Sequence, residues 1–167
     1  MYLVGIDPGL SGAIAVLLQR AGHASQLTVI DMPTLDITVA GKRRRRLDLA
    51  ALAGALSGVA VGAPDVVLIE DVSGRPPGLK GSQSGAFMQG FNAAAPVAIC
   101  AALGLPYNLV VPAVWKKAMG TPADKDGARL AASRLFPEFA HLWARSKDDG
   151  RAEAALLAAF AARRVQS

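Results

Sequence analysis

Cysteine is nearly absent: Cys100 is the one thiol in 167 residues, and it lies in an Ala-rich apolar stretch. A lone cysteine excludes a disulfide framework and reads as a small core residue, which suits a reducing compartment and a cytoplasmic location. No Cys/His set offers zinc its usual ligands. Charge is missing altogether from Gly81 to Trp115, yet Pro96, Gly104, Pro106 and Asn108 interrupt that stretch. An unbroken apolar span of about 20 residues is therefore lacking, and the segment reads as a buried helix, a turn and a strand, with no membrane association expected. Asp7 interrupts the N-terminal apolar stretch, so no signal peptide is expected. No linker or repeat divides residues 1–167, which are expected to form one domain able to bury a core without staples.

What is present is an excess of cations. Eighteen Lys and Arg against 13 Asp and Glu give a net charge of +5, a balance that favours a polyanionic partner. Lys42-Arg43-Arg44-Arg45-Arg46 is the sharpest local feature, read as a cationic loop ahead of a helix that begins near Leu47. It is assigned to DNA contact, with Lys80, Lys116, Lys117 and Lys125 as further candidates for a surface that tracks a phosphate backbone.

The acids are fewer and more telling. Asp149 and Glu153 are four apart, and at about 100° per residue they share a stripe with Leu156, Leu157 and Phe160 while Arg151 points away. Carboxylates on a core-facing stripe need a compensating cation or a shifted pKa. Asp148 lies about 100° off that stripe, so Asp149 is preferred to it. Asp7 follows a short apolar strand, and Glu70 ends the continuous apolar run Val66-Val67-Leu68-Ile69, as in a strand covered on both faces. Taken singly, Asp7 can shape a turn, Glu70 can be a solvated strand end and Asp149 can favour a helix start. If the two strands are parallel neighbours, Asp7 and Glu70 face each other at their carboxyl ends and the Asp149/Glu153 helix completes the cluster from one side, as hard oxygen ligands suited to Mg²⁺ or Mn²⁺.

The order of elements is three antiparallel strands (residues 2–7, 13–18 and 26–32), a helix from 47 to about 61, a strand 66–70, a long helix of about 83–103 that Pro96 can kink, a short strand 109–111, a helix near 125–135 and a terminal helix from about 148. The expected fold is α/β: a five-stranded mixed sheet flanked by helices.

Gly5-Ile6-Asp7-Pro8-Gly9-Leu10-Ser11-Gly12, Leu68-Ile69-Glu70 and Lys147-Asp148-Asp149-Gly150-Arg151-Ala152-Glu153-Ala154 together resemble a RuvC-type Holliday-junction resolvase, in order and in spacing. Residues 111–117 and 124–129 are also similar to segments of that family, so the resemblance spans nearly the whole chain. The final motif is closest to the chloroplast, phage and bacterial branch whose last two acids are four apart. The resemblance implies a ribonuclease-H-like fold, a homodimer, and metal-dependent resolution of four-way DNA junctions by paired symmetric nicks. It also implies Asp7, Glu70, Asp149 and Glu153 as the catalytic, metal-binding acids, two Mg²⁺ ions per site, products with 5′-phosphate and 3′-hydroxyl ends, and no nucleotide cofactor. A nucleoid-associated role in a bacterial or phage-infected cell goes with it. One departure stands out: the bacterial housekeeping enzymes carry an aromatic soon after the second acid, and residues 71–80 contain none, so their cleavage-point reading does not carry over.

Three other readings compete. Gly-Ile-Asp-x-Gly also opens phosphotransferases of the actin and sugar-kinase type, but their nucleotide site needs two such domains. A ribonuclease-H-like nuclease acting on RNA or another branched nucleic acid is the nearest enzymatic rival, and a junction-binding protein that no longer cuts is the third.

Overall fold

A computed structural model describes residues 1–72, 83–122 and 125–166. The strands are β1 (Tyr2–Ile6), β2 (Ala13–Leu18), β3 (Gln26–Asp31), β4 (Thr34–Val39), β5 (Lys42–Leu47), β6 (Val66–Glu70) and β7 (Tyr107–Val110). The helices are α1 (Leu49–Val61), α2 (Gln83–Ala102), α3 (Pro112–Met119), α4 (Lys125–Leu135) and α5 (Asp149–Val165), with short 3-10 segments at Pro137–Trp143 and Ser146–Asp148. The main sheet has the order β3-β2-β1-β6-β7. Its first three strands pair antiparallel, and β6 and β7 join parallel to β1. This is the expected five-stranded mixed sheet.

Both faces of the sheet are covered, which is why its central strands read as continuous apolar runs. Along β1 and β6, successive side chains alternate between two cores. Leu3 and Leu68 join α5, Trp115 and Trp143 on one face. Val4, Ile6, Val67 and Ile69 join Leu52, Leu56 and Cys100 of α1 and α2 on the other. Burial pushes the Cys100 thiol up to about 11, in keeping with an inert core residue. α5 is the central helix, buried nearly all round from Ala152 to Ala162. It lies directly on β1 at Gly5, where a β-carbon would stand 2.2 Å from the Ala154 carbonyl oxygen.

Four expectations need correction. The run Lys42–Arg46 is strand β5, paired with β4 in a separate two-stranded ribbon. A ribbon exposed along most of its length tolerates cations on both faces, so the run carries no strand periodicity. Its turn is Ala40-Gly41, both residues with positive φ (49° and 73°), as a tight two-residue hairpin requires. Consequently α1 starts at Leu49, with the Asp48 side chain accepting from Ala51 N at 3.0 Å as the N-cap. The charge-free segment does form a helix, α2, but it is not a buried one. Its inner side seats Asn92 and Cys100, whereas Phe87 (72% exposed) and Phe91 (42%) project outward, because no further layer among the described residues covers it. By length and composition alone, Ser84–Ala102 is the one helix among the described residues able to cross a membrane. Finally, α3 takes up the stretch after β7, with Pro112 at its first turn.

Candidate metal centre

The parallel register of β1 and β6 sets Ile6 beside Ile69, so one step further Asp7 stands beside Glu70. By the alternation along each strand, both carboxylates project to the face that α5 covers. One turn into α5, Glu153 meets them. One carboxylate oxygen from each of Asp7, Glu70 and Glu153 lies within 4.8 Å of the other two. Two glycines permit this closeness: a β-carbon on Gly12 would stand 2.1 Å from the Asp7 carbonyl oxygen, and one on Gly150 would stand 2.9 Å from Asp7 Oδ2. Gly150 thus lets the start of α5 press against the β1–β2 turn.

Asp149 is not within that tight group, although its charge still raises the Asp7 pKa. Asp148 is turned away. Its carboxylate accepts from Arg145 N (3.2 Å), Nε (2.8 Å) and Nη2 (2.9 Å), and these hydrogen bonds hold it below the usual carboxylate range. The two adjacent acids therefore have different environments, one near the cluster and one closed in an ion pair.

Burial, followed by the charges of Glu153 and Glu70, pushes the Asp7 carboxyl up to about 7, against the opposing hydrogen bond from Gly9 N. Glu70 is also raised, by burial and then by Glu153, while hydrogen bonding from Trp115 and the charge of Lys116 act the other way. Trp115 is fully buried and donates Nε1–H to Glu70 Oε1 at 3.0 Å. Its neighbour Lys116 reaches Glu153 Oε1 at 2.7 Å, with its ammonium 5.2 Å from the centre of the Trp115 ring. Burial alone would lower the Lys116 pKa, but the hydrogen bond to Glu153 and the charges of the cluster outweigh it. Consecutive residues of α3 thus hold two of the three clustered acids.

Converging carboxylates at this spacing, with one lysine to offset them and no Cys or His in the group, make a hard oxygen donor set suited to a divalent cation such as Mg²⁺ or Mn²⁺.

The predicted basic residues divide. Lys116 lies at the acid cluster, where its ammonium pairs with Glu153. Arg43 pairs with Asp36 across the ribbon at 2.5 Å. Arg45 donates to Leu10 O at 2.5 Å and Ser11 Oγ at 3.1 Å. Arg46 is half-buried against Met88. Lys42, Arg44 and Lys117 are exposed. Lys80 and the side chain of Lys125 lie outside the described residues. Sequence reasoning missed Trp115 and Gly150 as parts of the site. The signal for the first was a tryptophan followed at once by two lysines at the end of an uncharged run.

No known protein-family profile matches the sequence, and no curated protein matches it in sequence. Solved structures do match in shape. Thermus thermophilus RuvC in complex with a Holliday-junction substrate superposes with a TM-score of 0.61 at 18% identity, over 98% of this chain and 96% of that one. Thermus thermophilus RuvC alone gives 0.58 at 18% identity, over 99% and 97%. The yeast mitochondrial Holliday-junction resolvase Ydc2 gives 0.54 at 17% identity, over 96% of this chain and 77% of that chain. The fold is the ribonuclease-H-like fold of RuvC.

Proposed function

We propose that this chain is a structure-selective DNA endonuclease that resolves four-way junctions by metal-dependent hydrolysis of phosphodiester bonds, acting as a homodimer through paired symmetric nicks. The observation that carries this reading is the convergence of Asp7, Glu70 and Glu153 within 4.8 Å, at strand ends and on the central helix of a RuvC-like fold. The Thermus enzyme of that fold was solved with a Holliday junction bound, and the yeast neighbour is named as a junction resolvase.

Asp7, Glu70 and Glu153, with Asp149 one turn earlier on α5, would hold two Mg²⁺ ions, or Mn²⁺ in their place. When bound, such ions acidify water and stabilise charge on the scissile phosphate and its leaving oxygen. The rest is done by side chains. Trp115 fixes the orientation of Glu70, and Lys116 holds Glu153 while offsetting part of the cluster's charge. Glycine at positions 12 and 150 lets backbone close in against the Asp7 carboxylate. No protein nucleophile is required.

The exposed apolar side of α2 supports the dimer. Phe87, Met88 and Phe91 form a groove with Leu35 and Ile37 of β4 that nothing among the described residues fills. A second copy seated there would place one acid cluster opposite each of two equivalent junction strands. Residues 1–167 would work as one nuclease unit on cytoplasmic, nucleoid DNA.

The test is incubation of the protein with a labelled four-way junction, linear duplex and an RNA–DNA hybrid, with Mg²⁺ or with EDTA, beside Glu70→Gln. Paired nicks in the junction that need Mg²⁺ and Glu70 support the reading. Preferential cutting of the hybrid would replace it with a ribonuclease activity.

A further inference from the structure

On the side of the β1–β2 turn away from the acid cluster lies a polar hollow of about 270 Å³. Ser11 and Gly12 of the turn, Asp31 at the end of β3, Arg45 of β5, and Arg145 and Lys147 just ahead of α5 line it. Its charges do not cancel. Asp148, which also borders it, is closed by Arg145, and Asp31 is closed by Arg151 through two hydrogen bonds of 2.5 Å. Arg45 is anchored by neutral oxygens, Leu10 O and Ser11 Oγ, while Asp36 opposite it on β4 pairs with Arg43. Lys147 is exposed and makes no ion pair among the described residues. Two cations from separate elements are left to face the hollow. Ser11 Oγ accepts from Arg45, which frees its O–H to donate.

The hollow is also close to the chemistry. Its floor, Gly12, packs so tightly on Asp7 that a β-carbon would stand 2.9 Å from the Asp7 carboxyl carbon. One thickness of backbone separates the two sites.

We infer that this hollow is a phosphate pocket that seats a backbone phosphate of the strand being cut, one beside the scissile position, with Arg45, Lys147 and the Ser11 hydroxyl as donors. The inference rests on the nuclease reading above. An arginine already fixed at one edge keeps its remaining N–H groups in a defined fork, the geometry that suits phosphate oxygens. A strand held there and at the acid cluster is gripped on both sides of the Asp7 turn, which sets the register of the bond to be broken. The basic ribbon then serves the cut site directly through Arg45, beyond any general attraction for DNA.

The experiment uses junctions carrying a single methylphosphonate, which deletes one backbone charge, moved phosphate by phosphate along the cut strand. Both binding in EDTA and cutting in Mg²⁺ are measured, for the unaltered protein and for Lys147→Gln and Arg45→Lys. One position flanking the scissile phosphate should weaken the unaltered protein roughly tenfold, the scale of one lost charge-assisted hydrogen bond. At that same position Lys147→Gln should show a smaller further loss than the unaltered protein, because one of the two cationic partners of the deleted charge is already gone. Absence of any sensitive flanking position, or equal sensitivity in Lys147→Gln, overturns the pocket. Sensitivity in binding with no cutting by the unaltered protein would instead defeat the nuclease reading and leave only a phosphate-binding pocket with no cut strand to position, and failure to bind any junction would defeat both.

Discussion

Trp115 donates its indole N–H to Glu70 across 3.0 Å inside a buried site, so the orientation of one clustered carboxylate is set by a side chain that offers no ligand atom to a metal ion. Trp115→Phe retains an aromatic ring in the core and removes only the donor and one ring's width. Divalent-cation affinity should fall by roughly 10- to 100-fold, the usual range for loss of such a supporting hydrogen bond. Calorimetric Mn²⁺ titration alongside thermal melting separates this from a packing loss. A variant that melts lower but binds Mn²⁺ as before would assign Trp115 to the core alone.

Substitution of the acids should divide cutting from binding. Asp7→Asn, Glu70→Gln, Asp149→Asn and Glu153→Gln are each expected to abolish or severely reduce junction cleavage while leaving junction binding largely intact, since loss of a carboxylate lowers repulsion toward phosphates. Asp148→Ala should keep cleavage and lose stability by about 1 kcal/mol, because its carboxylate closes the turn ahead of α5 through Arg145. Gel assays of cleavage and binding on the same variants decide this. Cleavage lost in Asp148→Ala but kept in Asp149→Asn would reverse the assignment.

The acid cluster also predicts a pH dependence. Asp7 has its carboxyl raised from an ordinary 3.8 to about 7, mainly by burial. A folded-state pKa above the unfolded one means the folded state holds the proton more tightly, so this contribution to stability is complete at low pH and is lost as pH rises through that window. In EDTA the melting temperature should therefore decline between about pH 5 and pH 7.5, and added Mg²⁺ at pH 7.5 should restore it. Asp7→Asn should flatten the EDTA profile. A wild-type profile that rises over the same range would contradict the burial of an ionisable Asp7 among other acids.

Much of this site was legible because its residues break a local rule. Glu153 is an acid on an apolar helical stripe, and Glu70 ends a strand that reads as covered on both faces; neither fits an ordinary solvated role. Trp115 breaks no such rule. A tryptophan in an uncharged run reads as core, and only the three-dimensional pairing reveals that its N–H is aimed at Glu70. The β4–β5 ribbon was hidden for a different reason, since neither face of it is buried enough to impose a period of two, and its Ala40-Gly41 turn is a weaker signal than Asn-Gly. Helix α3 escaped because Pro112 reads as a breaker within the chain but sits where a helix accepts proline, at its first turn.

The ribbon should contribute to affinity through phosphates. Replacing Arg43, Arg44, Arg45 and Arg46 by Ala is expected to weaken junction binding and flatten its salt dependence by about 0.9 in log–log slope for each phosphate no longer neutralised. Arg44→Ala alone, on an exposed side chain, should reduce the slope by about 1 at most without moving the melting temperature. An unchanged slope in the fourfold variant would show that the ribbon is solvated in the complex.

The exposed side of α2 makes the last prediction. Phe87 is 72% exposed on a helix with no charge of its own, beside an apolar groove toward Leu35 and Ile37 that no described residue fills. Burial of such a face against its own copy would be driven by apolar area, at about 25 cal/mol for each Å² removed from water, and no charged side chain of the helix would have to be desolvated. Phe87→Arg should convert a dimer to a monomer in sedimentation, because a guanidinium placed twice near a two-fold axis meets its own copy. The acid cluster is untouched by that change, so single nicks should persist while paired, opposed nicks disappear. A Phe87→Arg protein that remains dimeric and still makes paired nicks would place the interface elsewhere on the molecule, and a wild-type protein that is monomeric on the junction would remove the symmetric-dimer reading altogether.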